Sequence, residues 1–117
     1  KYRQHRKQFA NAARIMSCVT SMPEAGNVIT DSGRKAVGAD TGNPHVDQIP
    51  GAEVRGLSAE HGGLTLKGNA DALDVGDQFL LLSAQQDIMV NRWDEFIGVR
   101  EGRVEAVWPI LAWGCHH

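Results

Sequence analysis

The sequence predicts an all-β domain, mainly antiparallel and small enough to close as a barrel, and three observations carry that prediction. Thirteen glycines scatter along the chain and cut it into short segments, most of which prefer strand. Residues 78–82, QFLLL, form a continuous apolar run of strand length. Residues 93–99 and 103–108 alternate apolar with polar around Glu101-Gly102, a hairpin signal. Closing such a meander into a barrel removes the unpaired edges it would otherwise present.

From the N-terminus, Phe9, Ala12, Ala13 and Met16 have helical spacing, whereas Ile15, Ser17, Val19 and Ser21 alternate with their neighbours as a strand would. The second part reads as strand; the first stays open. Asn27–Thr30 is a short strand, and Asp31-Ser32-Gly33 a turn in which Asp31 can accept from nearby backbone amides. Residues 38–51 are polar and turn-rich, a long loop of the kind that often carries function. Residues 52–58 and 64–67 read as two strands joined through Glu60-His61-Gly62-Gly63. A turn over 73–77 leads into the apolar run, where both faces should be covered and the core should centre. In the last hairpin Ile97, Val99, Val104 and Val107 are expected to pack.

At 117 residues the chain fits one domain. Hydrophobic residues make up 42% and charged residues 22%, which calls for a packed core rather than disorder. A formal charge of −2 gives no general cationic surface for nucleic acid or an acidic membrane. The local exception, Lys1, Arg3, Arg6 and Lys7, reads more simply as a solvated lead-in or linker over residues 1–8, ahead of a β domain over 9–117. No apolar run reaches membrane-spanning length, and no apolar segment of secretory type follows the charged start. Cys18 and Cys115 make no disulfide framework, so a reducing cytoplasm is the expected compartment. The chain begins at Lys1 rather than Met, as a piece of something longer would.

Chemistry is sparse. A Schiff-base lysine needs a partly desolvated pocket, and Lys1, Lys7, Lys35 and Lys67 all stand in polar or turn-like surroundings. No phosphate-binding loop, dinucleotide fingerprint, HExxH or CxxC pair occurs. Cys115, His116 and His117 could bind a soft or borderline metal, although a chain end is more simply a tail or a tag. His61 and His45 fall in loops, where a histidine with no role is the commoner case. Gln85 and Asp87, two apart on an extended segment, would point the same way and converge on one ligand. Asp87 suits a hard metal and Gln85 is a neutral, weak donor, so the pair supports hydrogen bonding at least as well.

Taken together, Asp31-Ser-Gly33, residues 50–54 (PGAEV), 56–62 (GLSAEHG), 75–77 (VGD), 87–91, 102–104 (GRV) and 107–110 (VWPI) give the chain from about Phe9 onward a family likeness. It resembles the C-terminal β domain of the D-threonine aldolase and eukaryotic-type D-serine dehydratase family, pyridoxal-phosphate enzymes with an alanine-racemase-like N-terminal barrel. The resemblance implies a small β-barrel forming one wall of an active site for D-3-hydroxy amino acids. It also implies a lysine-bearing barrel supplied from outside these residues and a homodimer. In that family an H-x-C or H-x-D pair after the apolar strand holds a divalent metal (Mn, Mg or Zn). Asp87 matches the second ligand, and Gln85 falls where the histidine stands. The departure implies a weakened site of Mg or Mn type, or a pair that hydrogen-bonds substrate directly. His61 falls in the family's EHG and becomes a candidate for positioning or proton transfer. Asp31 and Asn91 also match, and fixing turns would explain them equally well. The rival reading is a stand-alone, non-catalytic binding module with the same fold.

Overall fold

The computed structural model describes residues 10–68 and 72–113. The basic lead-in and Cys115, His116 and His117 lie outside them. Six strands form one antiparallel sheet: β1 (Ile15–Glu24), β2 (Asn27–Thr30), β3 (His45–Asp47), β4 (Ala52–Leu57), β5 (Gly62–Leu66) and β6 (Gln78–Leu82). Their spatial order is β3-β6-β1-β2-β5-β4. The two end strands come together: the Asn43 side-chain amide donates to the Val54 carbonyl at 3.2 Å across the seam, so the sheet nearly closes as a barrel. All-β architecture, antiparallel pairing and barrel form agree with the sequence.

β1 makes closure possible by serving two partners. Residues Ile15 to Cys18 pair with β6, and Val19 to Glu24 pair with β2, with register shifts on either side of Ser21. Such irregularities bend a strand and increase its twist, as a corner requires. Inside the barrel, the buried sets alternate as a pleated strand dictates: Val28 on β2, Leu64 and Leu66 on β5, Phe79 and Leu81 on β6. Ile15, Val19, Leu73, Val37 and Met89 complete the core. β6 was expected to be covered on both faces; Leu80 and Leu82 are only half-buried, because its outer face has partial cover. The alternation of the barrel won over the uniform apolarity of the run.

Two short helices were not foreseen. α1 (Arg34–Val37) follows the Asp31 turn, and α2 (Gln86–Val90) follows β6. They bury Val37 and Met89 over one end of the barrel, which overrides the strand preference of isoleucine and valine in α2. Within the expected long loop, His45–Asp47 adds itself to β6 as β3. The helical spacing that starts at Phe9 comes to nothing among the described residues 10–14, which carry no regular structure before β1 begins.

After α2 the chain forms a separate two-stranded sheet, β7 (Glu95–Arg100) and β8 (Arg103–Pro109). The hairpin and its turn at Glu101-Gly102 agree with the sequence. The expected packing does not: Ile97 is 62%, Val99 59%, Val104 64% and Val107 51% exposed. The hairpin forms its own sheet, and among the described residues that face stays exposed.

Candidate functional site

Antiparallel pairing brings several connections to one end of the barrel. Thr30 at the end of β2, Gly62 at the start of β5 and Leu57 at the end of β4 lie in register, and Leu82 at the end of β6 pairs with His45. α1 lies along this rim. Its first two amides donate outward, Arg34 N–H to Ser58 O at 2.8 Å and Lys35 N–H to Ala59 O at 3.1 Å. At its far end the Val37 carbonyl accepts from Ser83 Oγ at 3.2 Å. Four helical residues rise only about 6 Å, so α1 ties the loop carrying His61 to the segment carrying Gln85 and Asp87.

The Asp31 turn and the His61 loop fit together closely. A Cβ on Gly33 would fall 2.5 Å from Ala59 O, and one on Gly62 2.8 Å from both Ser32 O and Thr30 Oγ1. Both glycines are there for close backbone approach. Lys35 and Glu60 add an ion pair across the same contact. Asp31 Oδ1 accepts from Cys18 N–H and Ser17 Oγ, each at 2.9 Å, and from Ser32 Oγ at 3.4 Å. It thereby holds the place where β1 changes partner, a structural task.

His61 sits in a tight loop closed by Ser58, whose N–H donates to His61 O at 2.8 Å and whose hydroxyl accepts from His61 N–H at 3.1 Å. Its imidazole is exposed, and among the described residues no hydrogen bond engages it. It borders a shallow depression of about 220 Å³ with Arg55, Ser58 and Ile29. The Arg55 guanidinium there donates to Asn27 Oδ1 at 3.2 Å.

Gln85 and Asp87 meet, though not along an extended segment. Gln85 is the extended residue capping α2, while Asp87 already lies in the first turn. Gln85 Nε2 donates to Asp87 Oδ2 at 3.3 Å, and Gln85 Oε1 is buried with no hydrogen-bond partner among the described residues. Asn91 ends the helix, its backbone N–H donating to Asp87 O at 3.2 Å. Sequence reasoning missed Ser83, whose hydroxyl shares its one proton between Gln85 O at 2.8 Å and Val37 O at 3.2 Å and accepts from Gln85 N–H at 3.2 Å. A serine two residues before Gln85 is the spacing of a side-chain-to-backbone turn, and that was the available signal.

As metal ligands, Gln85 and Asp87 offer one amide oxygen and one carboxylate. No group of three His, Cys, Asp or Glu side chains gathers among the described residues. This donor set fits a hard cation of Mg or Mn type, held loosely with water completing its shell, and fits zinc poorly. Neither Lys35 nor Lys67 fits a Schiff base, since both are exposed and paired with Glu60 and Glu53.

The comparisons agree with this architecture. The serine dehydratase domain family matches residues 12–99. D-threonine aldolase from Arthrobacter sp is 33% identical over 106 residues, covering 91% of this chain and 28% of that protein. 3-Hydroxy-D-aspartate aldolase from Paracoccus denitrificans is 33% identical over 107 residues, covering 92% of this chain and 27% of that protein. The crystal structure of D-threonine aldolase from Filomicrobium marinum superposes with a TM-score of 0.89 at 34% identity, covering 94% of this chain and 30% of that one. The fold is thus that of a β domain found within D-threonine aldolase. The chain belongs to the serine dehydratase domain family, and it spans under a third of the length of the curated relatives it matches.

Proposed function

We propose that this chain is the C-terminal β domain of a pyridoxal-phosphate-dependent lyase acting on D-3-hydroxy amino acids, by retro-aldol cleavage of D-threonine or dehydration of D-serine, and that its α1 rim is the substrate-side wall. The observation that carries the proposal is the joining of the His61 loop to the Gln85–Asp87 segment through α1. The relatives are named for cleaving hydroxy amino acids of D configuration, which supports the substrate class. The lysine and the cofactor would come from an N-terminal barrel in the same polypeptide, since the described lysines do not fit that role.

The chain's own residues suit a hydroxy substrate. His61, whose imidazole makes no hydrogen bond among the described residues, can position the β-hydroxyl or move its proton. Asp87 accepts a hydrogen bond from a hydroxyl or ammonium group, and the Gln85 amide orients the carboxylate. A hard divalent ion bound by Asp87 and Gln85 would acidify that hydroxyl.

The test is the mass of the native polypeptide, taken by mass spectrometry on an immunoprecipitate from its source cell, together with lyase assays on that species. A species of the relatives' length, cleaving D-threonine or dehydrating D-serine and losing the activity on His61→Ala or Asp87→Ala, is expected. A native species of 12.7 kDa would overturn the proposal and favour a stand-alone binding module, the reading to which the exposed hairpin lends support.

A further inference from the structure

β4 carries one residue more than its neighbour where Arg55 stands. Val54 pairs with Leu64, and Gly56 with the adjacent Gly63 of β5, so Arg55 is the extra residue of a bulge. A bulge takes its side chain out of the ladder's alternation and re-aims it. Here the guanidinium lies over Gly63, where a Cβ would fall 3.1 Å from Arg55 Nη2 and 3.3 Å from Nε. A residue without a side chain lets the flat group settle that low over the backbone. From the side, Arg55 Nη1 donates to Asn27 Oδ1 at 3.2 Å, and Asn27 Nδ2 donates in turn to Glu24 Oε2 at 3.1 Å. Asn27 thus stands between the guanidinium and the Glu24 carboxylate.

The held guanidinium opens onto the depression of about 220 Å³ that it shares with His61 and Ile29, and no acidic residue lines that depression. Arg14, Lys35, Lys67, Arg92 and Arg100 each have a carboxylate partner; Arg55 has none among the described residues. We infer that the depression is a binding subsite for a small carboxylate. The Nε and Nη2 edge of Arg55, which carries no hydrogen bond among the described residues, matches the two oxygens of a carboxylate fork to fork. The His61 imidazole reaches the same anion from the opposite border, and a short aliphatic stem rests on Ile29. One guanidinium balances one negative charge, whereas a phosphate group brings about 1.5 to 2. The volume lies below the roughly 300–1,000 Å³ of pockets for larger ligands, so the acid is one of a few carbons. The inference stands on Arg55 and its bulge, and holds whether or not His61 serves the reaction proposed above.

Nuclear magnetic resonance on the ¹⁵N-labelled 117-residue chain, titrated with butyrate, tests it. The expected result is a saturating shift of the Arg55 Nε–H and of the Gly62 and Gly63 amides, with a Kd on the order of 1 mM. Butyramide, which has the same shape and no charge, should leave them in place. Arg55→Gln should weaken binding by about tenfold or more, the worth of one charge-assisted hydrogen bond. Gly63→Ala keeps the charge but lifts the guanidinium, and should weaken binding several-fold. In both variants unchanged Val28 and Leu64 resonances report an intact barrel. Shifts that grow without saturating, butyramide acting as butyrate does, or either variant binding as the wild type does would overturn the proposal. Phosphate binding more tightly than butyrate would overturn it in favour of a tetrahedral oxyanion.

Discussion

Asp31 shows how much one carboxylate can settle. Its Oδ1 collects three donors, two of them from the stretch of β1 where the strand leaves β6 for β2. Asp31→Ala strands the Cys18 amide and should lower unfolding free energy by about 1.5 kcal/mol. Urea titration measures it, and Asp31→Asn, which keeps an acceptor, should recover part of the loss. Gly62→Ala is the harsher change, because its Cβ would meet the Ser32 backbone oxygen, which cannot swing away, as well as the Thr30 hydroxyl. That variant should fall by more than the usual cost of a surface substitution in the same titration. For the metal, Asp87→Ala should abolish Mn²⁺ binding by calorimetry, and Gln85→His should tighten binding of a transition metal, since imidazole replaces a neutral amide. At this scale the motif residues were legible because their types are rare in combination. Their neighbours Ser83 and Ser58 were not, because serine occurs everywhere and only the folded turn shows which hydroxyl closes it.

Elements were legible where a single preference ruled. β2 and β4 follow alternation or β-branched content, β6 follows its continuous apolar run, and the last hairpin follows its Glu-Gly turn. α1 and α2 were missed for a physical reason. Helices of four and five residues carry too few periodic positions to register, and their stability comes from burying Val37 and Met89 on the barrel rather than from propensity. Trp93 shows the dependence: its indole N–H donates to Ala36 O at 2.9 Å, holding the start of the hairpin against α1. Trp93→Phe keeps most of the ring and loses that bond. It should cost about 1 kcal/mol and increase amide exchange in α1 and β7 before the barrel strands are affected, as hydrogen exchange would show.

At the scale of the molecule, the buried side chains gather in the barrel core. Leu64 lies at its centre with almost no exposure, and Leu64→Ala should cost about 2–5 kcal/mol, read as a lower urea midpoint with unchanged slope. Barrel closure was predictable from the need to hide edges, whereas the exposure of the hairpin was not, because an alternating pattern reports which residues share a face and says nothing of what the face meets. Across the described residues no helix is long and apolar enough to cross a membrane.

The divided allegiance of β1 also has a temporal side. Its second half finds β2 immediately, across a turn at residues 25–26, but its first half pairs with residues 78–81, far along the chain. During synthesis, which proceeds from the N-terminus, Ile15 and Ser17 must wait with their ladder bonds unmade until β6 has left the ribosome. The dominance of such distant pairings places the domain among slow folders, on the millisecond-to-second side of the range, and makes the open barrel, with half of β1 bare, the species a chaperone would meet.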